Sequence, residues 1–372
     1  MQAPTSDELL AGIRDWVEIE SKSSDAAAVN RMMDVAASGF SEAGCKVQRI
    51  AGTNGLADHL SIASAWGGDG PGILVLSHLD TVHPEGTLRQ NPFRVEGDKA
   101  YGPGIYDMKG GAYLAYAAYR SIAHAGATTP LPIRFLIVSD EEVGSQTSRQ
   151  HIEAAAKNAK YVLVTEPARD GGKIVTARRG SSRYVISVEG RPAHSGTRHG
   201  DGRSAIREMA DQIIRLEGMT DYARDLTFNV GCIEGGTTPN TVPQFCSAEL
   251  DVRFARIEDA EASHAFVTGL QPINPDVTVT VTGQINRPPY SKTDMVAPLL
   301  AQAQKLAAEI GFELIDTATG GGSDGNFTAQ FVPTLDGLGV DGADAHTLHE
   351  HLYVSSLVPR FTLLRRLMET LT

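Results

Sequence analysis

The chain has 372 residues, 41% of them hydrophobic and 21% charged, which fits a soluble globular protein of two or three domains. A formal net charge of −12 argues against a general nucleic-acid binder, yet a local Arg/Lys cluster could still hold an anionic small molecule. Cys45, Cys232 and Cys246 are few, odd in number and widely spaced, which disfavours a disulfide framework and a thiolate metal site. No apolar stretch approaches the roughly 20 residues of a membrane span. The start, "MQAPTSDELLAGIRDW", lacks a basic region followed by an apolar core, so the expectation is a cytoplasmic protein, short of a secretion signal removed earlier.

Leu9, Leu10, Ile13, Trp16 and Val17 have helical spacing, and residues 27–43 also read as a helix. Three apolar runs then end in polar residues: "GILVLSHLD" (72–80), "PIRFLIVSDEE" (132–142) and "YVLVTEP" (161–167). Helical segments at 109–125 and 148–158 separate them, which predicts buried strands of an α/β sheet. Ligands of open α/β sheets bind beyond the carboxyl ends of strands, and each run delivers a His, Asp or Glu there. Residues 179–287 follow another pattern, β-α-β-β-α-β, which is ferredoxin-like and about 110 residues long, a usual domain size. The remainder holds an amphipathic helix at 293–310, the Gly-rich turn "GGGSDGNF", a short strand in "PTLDGLG" and a closing helix at 354–371. The expectation is one domain from residues 1–178 and 288–372, with 179–287 inserted.

The run Asp140-Glu141-Glu142 poses a problem, because adjacent like charges repel and are costly to bury unpaired. A solvated turn or helix start is the plain explanation. The alternative gathers Glu141 and Glu142 with His78, Asp80, Asp107, Glu166, His346, His349, Glu350 and His351. Imidazole and carboxylate donors suit Zn²⁺, Co²⁺ or Mn²⁺, and a bridging carboxylate suits two ions about 3.5–4 Å apart. Lone histidines such as His59 and His264 read as surface or satisfied core residues.

In order, "SHLDTV", "YGPGIYDMKGG", "DEEVGS", "TEP", "RPAHSG", "GGTTPNTVP", "DVR", "RPPY", "GGGSDG" and "HTLHE" resemble the M20 dinuclear zinc metallopeptidases, especially their glutamate carboxypeptidase branch. The resemblance spans about residues 70–355. It implies a mixed sheet flanked by helices, with the insert serving as a dimerisation (lid) domain. It further implies two Zn²⁺ per chain, with Co²⁺ or Mn²⁺ as substitutes. His78 and Glu166 would hold one ion, Glu142 and His346 the other, and Asp107 would bridge them. His346 takes this role by its place in H-T-x-x-E, which Glu350 closes, with His349 as the alternative. The family often has a cis peptide after the bridging Asp, here Asp107–Met108. Asp80 would fix the His78 ring by a hydrogen bond. Glu141 would act as general base, leaving Asp140 as the solvated residue of the three.

From the insert, His194 resembles the histidine that reaches into a partner subunit's site and stabilises the oxyanion. Asn240 resembles a substrate-contacting amide. Arg287 resembles the guanidinium that grips a free α-carboxylate. Lys173 either adds a second positive charge or is a surface lysine. Arg253 reads as structural and His199 as surface, while Ser323 and Asp324 line the site without assigned chemistry. "GGGSDG" lacks the Walker and Rossmann spacings, so no phosphate loop is expected. The implied reaction is hydrolysis of an amide beside a free carboxylate, releasing a C-terminal amino acid such as glutamate. An N-acyl amino-acid deacylase or dipeptidase is the neighbouring alternative, and a non-catalytic metal-binding protein on a peptidase fold the remote one. The expected partners are a small peptide or N-acyl amino acid and a second copy of the chain, with no nucleic acid and no membrane.

Overall fold

A computed structural model describes residues 4–372. Two compact units divide the chain. One runs to Ala177 and resumes over Ser291–Ala318 and Ser323–Thr372; the other comprises Arg178–Tyr290 with Thr319–Gly322.

The first unit is built on a six-stranded sheet, in the spatial order Lys46–Ile50, His59–Ala63, Ile133–Val138, Gly72–His78, Ala159–Val164 and Thr334–Leu335. The last four are parallel to one another, and the first two are antiparallel to their neighbours. Every residue of Gly72–His78 is buried. Ile73 and Val75 enter a core shared with Ile13, Phe40, Leu114 and Leu364, which come from four helices. Leu74 and Leu76 enter another core with Ile152, Ala156 and Phe327. Side chains alternate across a strand, so coverage of both faces makes it read as a continuous apolar run. The three runs singled out in the sequence are such strands.

Register then fixes where their polar ends fall. His78 lies opposite Val138, and Leu76 opposite Val164. The carboxyl ends of three parallel strands therefore meet at one edge: His78, the turn that starts at Ser139, and Glu166 two residues past Val164. A small sheet, ordered Gly342–Ala343, His351–Tyr353, Lys99–Tyr101 and Arg94–Glu96, anchors both ends of the segment that carries His346.

The second unit has the order Gly180–Glu189, helix Ala205–Glu217, Thr227–Gly235, Phe245–Phe254, helix Ile257–Thr268 and Thr278–Arg287. Its sheet is antiparallel, with Phe245–Phe254 and Gly180–Glu189 at the centre. This is the ferredoxin-like arrangement. Along Gly180–Glu189, Tyr184, Ile186 and Val188 are buried in the core while Arg183, Val185, Ser187 and Glu189 are exposed. Such strict alternation marks a sheet with only one face covered. The three cysteines are free thiols.

Glu208, on the helix Ala205–Glu217, is buried and accepts hydrogen bonds from the Ile273 and Asn274 amides at 2.8 and 3.0 Å and from Gln212 Nε2 at 2.8 Å. Burial opposes its charge, but these donors outweigh it and hold the carboxyl below its ordinary 4.5. A carboxyl with a depressed folded pKa adds stability above its unfolded pKa, and this is lost as pH falls through the folded value. Glu208→Gln is expected to cost about 1–3 kcal/mol at neutral pH in urea titrations. The gap to wild type should close on acidification below 4.5; a gap that persists in acid would rule out the carboxylate's charge as its source.

Candidate metal centre

The strand Gly72–His78 ends with the His78 ring 1% exposed. Its Nε2 stands 3.2 Å from Asp107 Oδ1 and 3.7 Å from Glu166 Oε1. The other Asp107 oxygen, Oδ2, is 3.3 Å from His346 Nε2, which is also 3.3 Å from Glu142 Oε2. Two groups result, His78–Asp107–Glu166 and Asp107–Glu142–His346, each with its ligand atoms within 4.8 Å of one another. Asp107 belongs to both, one oxygen turned to each. The Asp107–Met108 peptide is cis, and His346 has a left-handed backbone at φ 66°.

The acids set the electrostatics. Burial alone pushes the His78 imidazole down, but hydrogen bonding to Asp107 and the nearness of Asp80 raise it well above its ordinary value. Hydrogen bonds to Asp107 and Glu142 push His346 up to about 11. Burial opposes charge on Asp107, yet hydrogen bonds from His346 and His78 hold its carboxyl well below the usual range. Glu142 is raised, first by burial and then by the Asp107 charge. Its Oε1 is buried without a hydrogen-bond partner among the described residues. A field that favours positive charge at both imidazoles, with an orphaned carboxylate oxygen beside one of them, fits divalent cations.

The three adjacent carboxylates diverge. Asp140 is fully buried, which corrects the expectation that it is the solvated member. Its Oδ2 accepts from the Thr147 amide at 2.6 Å, the Thr147 hydroxyl at 2.8 Å and the Ser148 amide at 3.3 Å. That hydroxyl also meets His59 Nε2 at 3.1 Å, and His59 Nδ1 accepts from the Ser139 amide at 3.2 Å, so His59 is a satisfied core histidine. Asp80, also buried, accepts from the Glu141 amide through Oδ1 and the Glu142 amide through Oδ2, each at 3.2 Å, and from Ser23 Oγ at 2.6 Å. The His78 Nδ1 lies nearer the Asp80 main-chain oxygen, at 3.0 Å, than its carboxylate, at 3.5 Å. The Asp80 carboxylate thus ties the 141–142 turn to the His78 strand. Glu141 is half-buried, Lys173 half-buried, and His349 exposed. His351 is buried with Nδ1 2.8 Å from the His349 carbonyl.

In the second unit, His194 and Asn240 sit on loops knitted by the Ser195 amide to the Asn240 carbonyl at 2.9 Å and the Val242 amide to the Ala193 carbonyl at 2.9 Å. Both side chains are exposed. His194 Nδ1 accepts from the Gly196 and Thr197 amides at 3.1 and 3.2 Å, which leaves Nε2 as the ring's outward N–H. Arg287 is 4% exposed at the end of its strand, and Arg253 pairs bidentately with Asp251. Sequence reasoning gave no role to Ser23 or His83, which stand in no motif, and only noted Glu350.

A mixed α/β sheet with carboxylate and imidazole donors at its strand ends defines a metallohydrolase-type architecture. The chain belongs to Peptidase family M20/M25/M40, which it matches over residues 74–370. It is 33% identical over 299 residues to carboxypeptidase G2 of Pseudomonas sp. (strain RS-16), covering 79% of this chain and 72% of that one. It is 28% identical to succinyl-diaminopimelate desuccinylase of Cupriavidus taiwanensis, covering 82% and 83%. The fold is similar to an M20 family metallo-carboxypeptidase from Sulfolobus solfataricus, with a TM-score of 0.79, 16% identity and coverage of 98% and 99%. The protein is therefore an enzyme that hydrolyses peptide or amide bonds.

Because Asp107 alone enters both groups, its loss should differ from that of His346. His346→Ala is expected to retain about one tightly held ion per chain after dialysis, and Asp107→Ala far less, by elemental analysis. Equal ion content in the two variants would dismiss Asp107 as a candidate shared ligand.

Proposed function

We propose that the enzyme is a two-zinc carboxypeptidase that cleaves an amide beside a free carboxylate and releases a C-terminal amino acid, most simply glutamate. The observation that carries this reading is the division of the two Asp107 oxygens between two donor groups. Similarity to carboxypeptidase G2 supports the leaving amino acid. Similarity to the desuccinylases supports a second reading, an N-acyl amino-acid deacylase, which differs in the acyl half of the substrate.

His78, Asp107 and Glu166 would hold one ion, and Asp107, Glu142 and His346 the other. Two ions, when bound, supply Lewis acidity that lowers the pKa of water toward about 7 and polarises the scissile carbonyl. Glu141 takes the proton from the attacking water and delivers it to the leaving nitrogen. Asp80 holds the amides of Glu141 and Glu142, so base and ligand keep a common reference. His194, whose fixed Nδ1 leaves Nε2–H as donor, stabilises the oxyanion in the site of a partner subunit. Asn240 contacts substrate beside it. Arg287 grips the free carboxylate, with Lys173 adding positive charge. Residues 179–287 act as the dimerisation and lid domain of a homodimer.

Purified protein should carry about two zinc-type ions per chain. Glu141→Gln should keep them and lose about 10²–10⁴-fold in kcat. Retention of full rate would remove Glu141 as the base. A panel of N-acyl amino acids, dipeptides and folate-like glutamates separates the two substrate readings by kcat/KM.

A further inference from the structure

Glu350 is fully buried, and both its oxygens are engaged at one turn. Oε1 accepts from the Tyr106 amide at 2.9 Å and the Asp107 amide at 3.0 Å. Oε2 accepts from the Gly104 amide at 3.1 Å and lies 2.5 Å from His83 Nε2, on a ring that is itself buried. Three amides of a four-residue turn thus converge on one carboxylate, a concave nest of the kind that binds anions. Convergence needs the left-handed Gly104, φ 70°, where a Cβ would stand 2.5 Å from Thr81 Cγ2.

The short segment from His346 to Glu350 therefore reaches Asp107 twice. The His346 ring meets the Asp107 carboxylate at 3.3 Å, and Glu350 meets the Asp107 main-chain amide at 3.0 Å. Fixing the peptide plane at Asp107 limits the directions in which its Cβ can leave. That direction decides whether one oxygen can face each donor group.

We infer that Glu350, supported by His83, is a positioning residue for the two-ion centre: it sets the aim of Asp107 and through it the affinity for both ions. The inference rests on the two-ion reading above.

The test uses Co²⁺, whose visible spectrum reports ligand geometry, and chelator competition, which reports affinity. Wild type and Glu350→Gln are compared, with thermal unfolding of both metal-free proteins as the control for folding. Glu350→Gln replaces one acceptor by an NH₂ group that faces amide donors. It should weaken Co²⁺ binding about 10–100-fold, as loss of a group that orients a ligand typically does. It should also shift the Co²⁺ bands. A purely structural Glu350 would lower the metal-free melting temperature and leave affinity and spectrum at wild-type values; that result overturns the inference. If Glu350→Gln does not fold, His83→Ala removes a single donor and should show the same spectral shift with a smaller loss of affinity, and an unchanged spectrum there overturns it equally. Wild type that takes up no Co²⁺ overturns the two-ion reading itself, an outcome distinct from full uptake with unaltered affinity in the variant.

Discussion

Charge is the constraint on which the rest of this structure depends. Asp107, Glu142 and Glu166 crowd two imidazoles at one sheet edge, and Asp80, Asp140 and Glu350 lie fully buried in the loops that carry them. Unpaired, such a gathering would cost several kcal/mol per ion. The molecule separates the acids into two kinds. Those facing the proposed ions meet imidazole, and leave a Glu142 oxygen for a cation. Those behind accept from main-chain amides, two at Asp80, two at one oxygen of Asp140 and three at Glu350. Amide dipoles supply partial positive charge without adding a competing cation.

That arrangement explains why tight turns recur here. Amides converge on one carboxylate only where the backbone reverses, and the loops contain Gly104, Ser145 and His346 at positive φ. The parallel sheet then does the long-range work. His78, Glu142 and Glu166 arrive from three adjacent strands whose register is locked by cores on both faces. A one-residue slip of any strand would exchange the side chains fitted to its two cores and carry its terminal acid or imidazole away from the edge. The placement of the proposed ligands is thus secured by the same apolar contacts that hold the domain together. The second unit covers one sheet face only.

The proposed metal-facing residues were legible because strand-end placement and ordered short motifs both report them. The β-α-β-β-α-β order was legible in part because its two central strands alternate, as Tyr184, Ile186 and Val188 do. Asp140 was misread for a physical reason. Whether a side chain in a turn points to solvent depends on donors that the local run does not reveal, here Thr147 and Ser148 as the next helix begins. Glu350 was visible as the end of a motif, but its partners lie about 245 residues earlier and no spacing rule links them. Thr319–Gly322 likewise packs with the second unit across a wide gap in sequence, with the Gly321 carbonyl accepting from Arg178 at 3.1 Å.

One consequence concerns how single residues at this edge can be interpreted. Asp80 was expected to act on the His78 ring; its carboxylate stands 3.5 Å from that ring and also takes the amides of Glu141 and Glu142, while its main-chain oxygen is the nearer partner. Three proposed functions, a ligand to each ion and the base between them, therefore share a single reference group. Residues joined in this way act as a unit, and the loss measured on removing one is not its own contribution. The same holds for Asp107, which Glu350 orients from behind and His346 meets in front. Two buried carboxylates, each binding no ion in the proposed scheme, thereby govern the direction of the carboxylates that would. The chemistry of the edge is set less by which acids are present than by which of them the backbone has already satisfied.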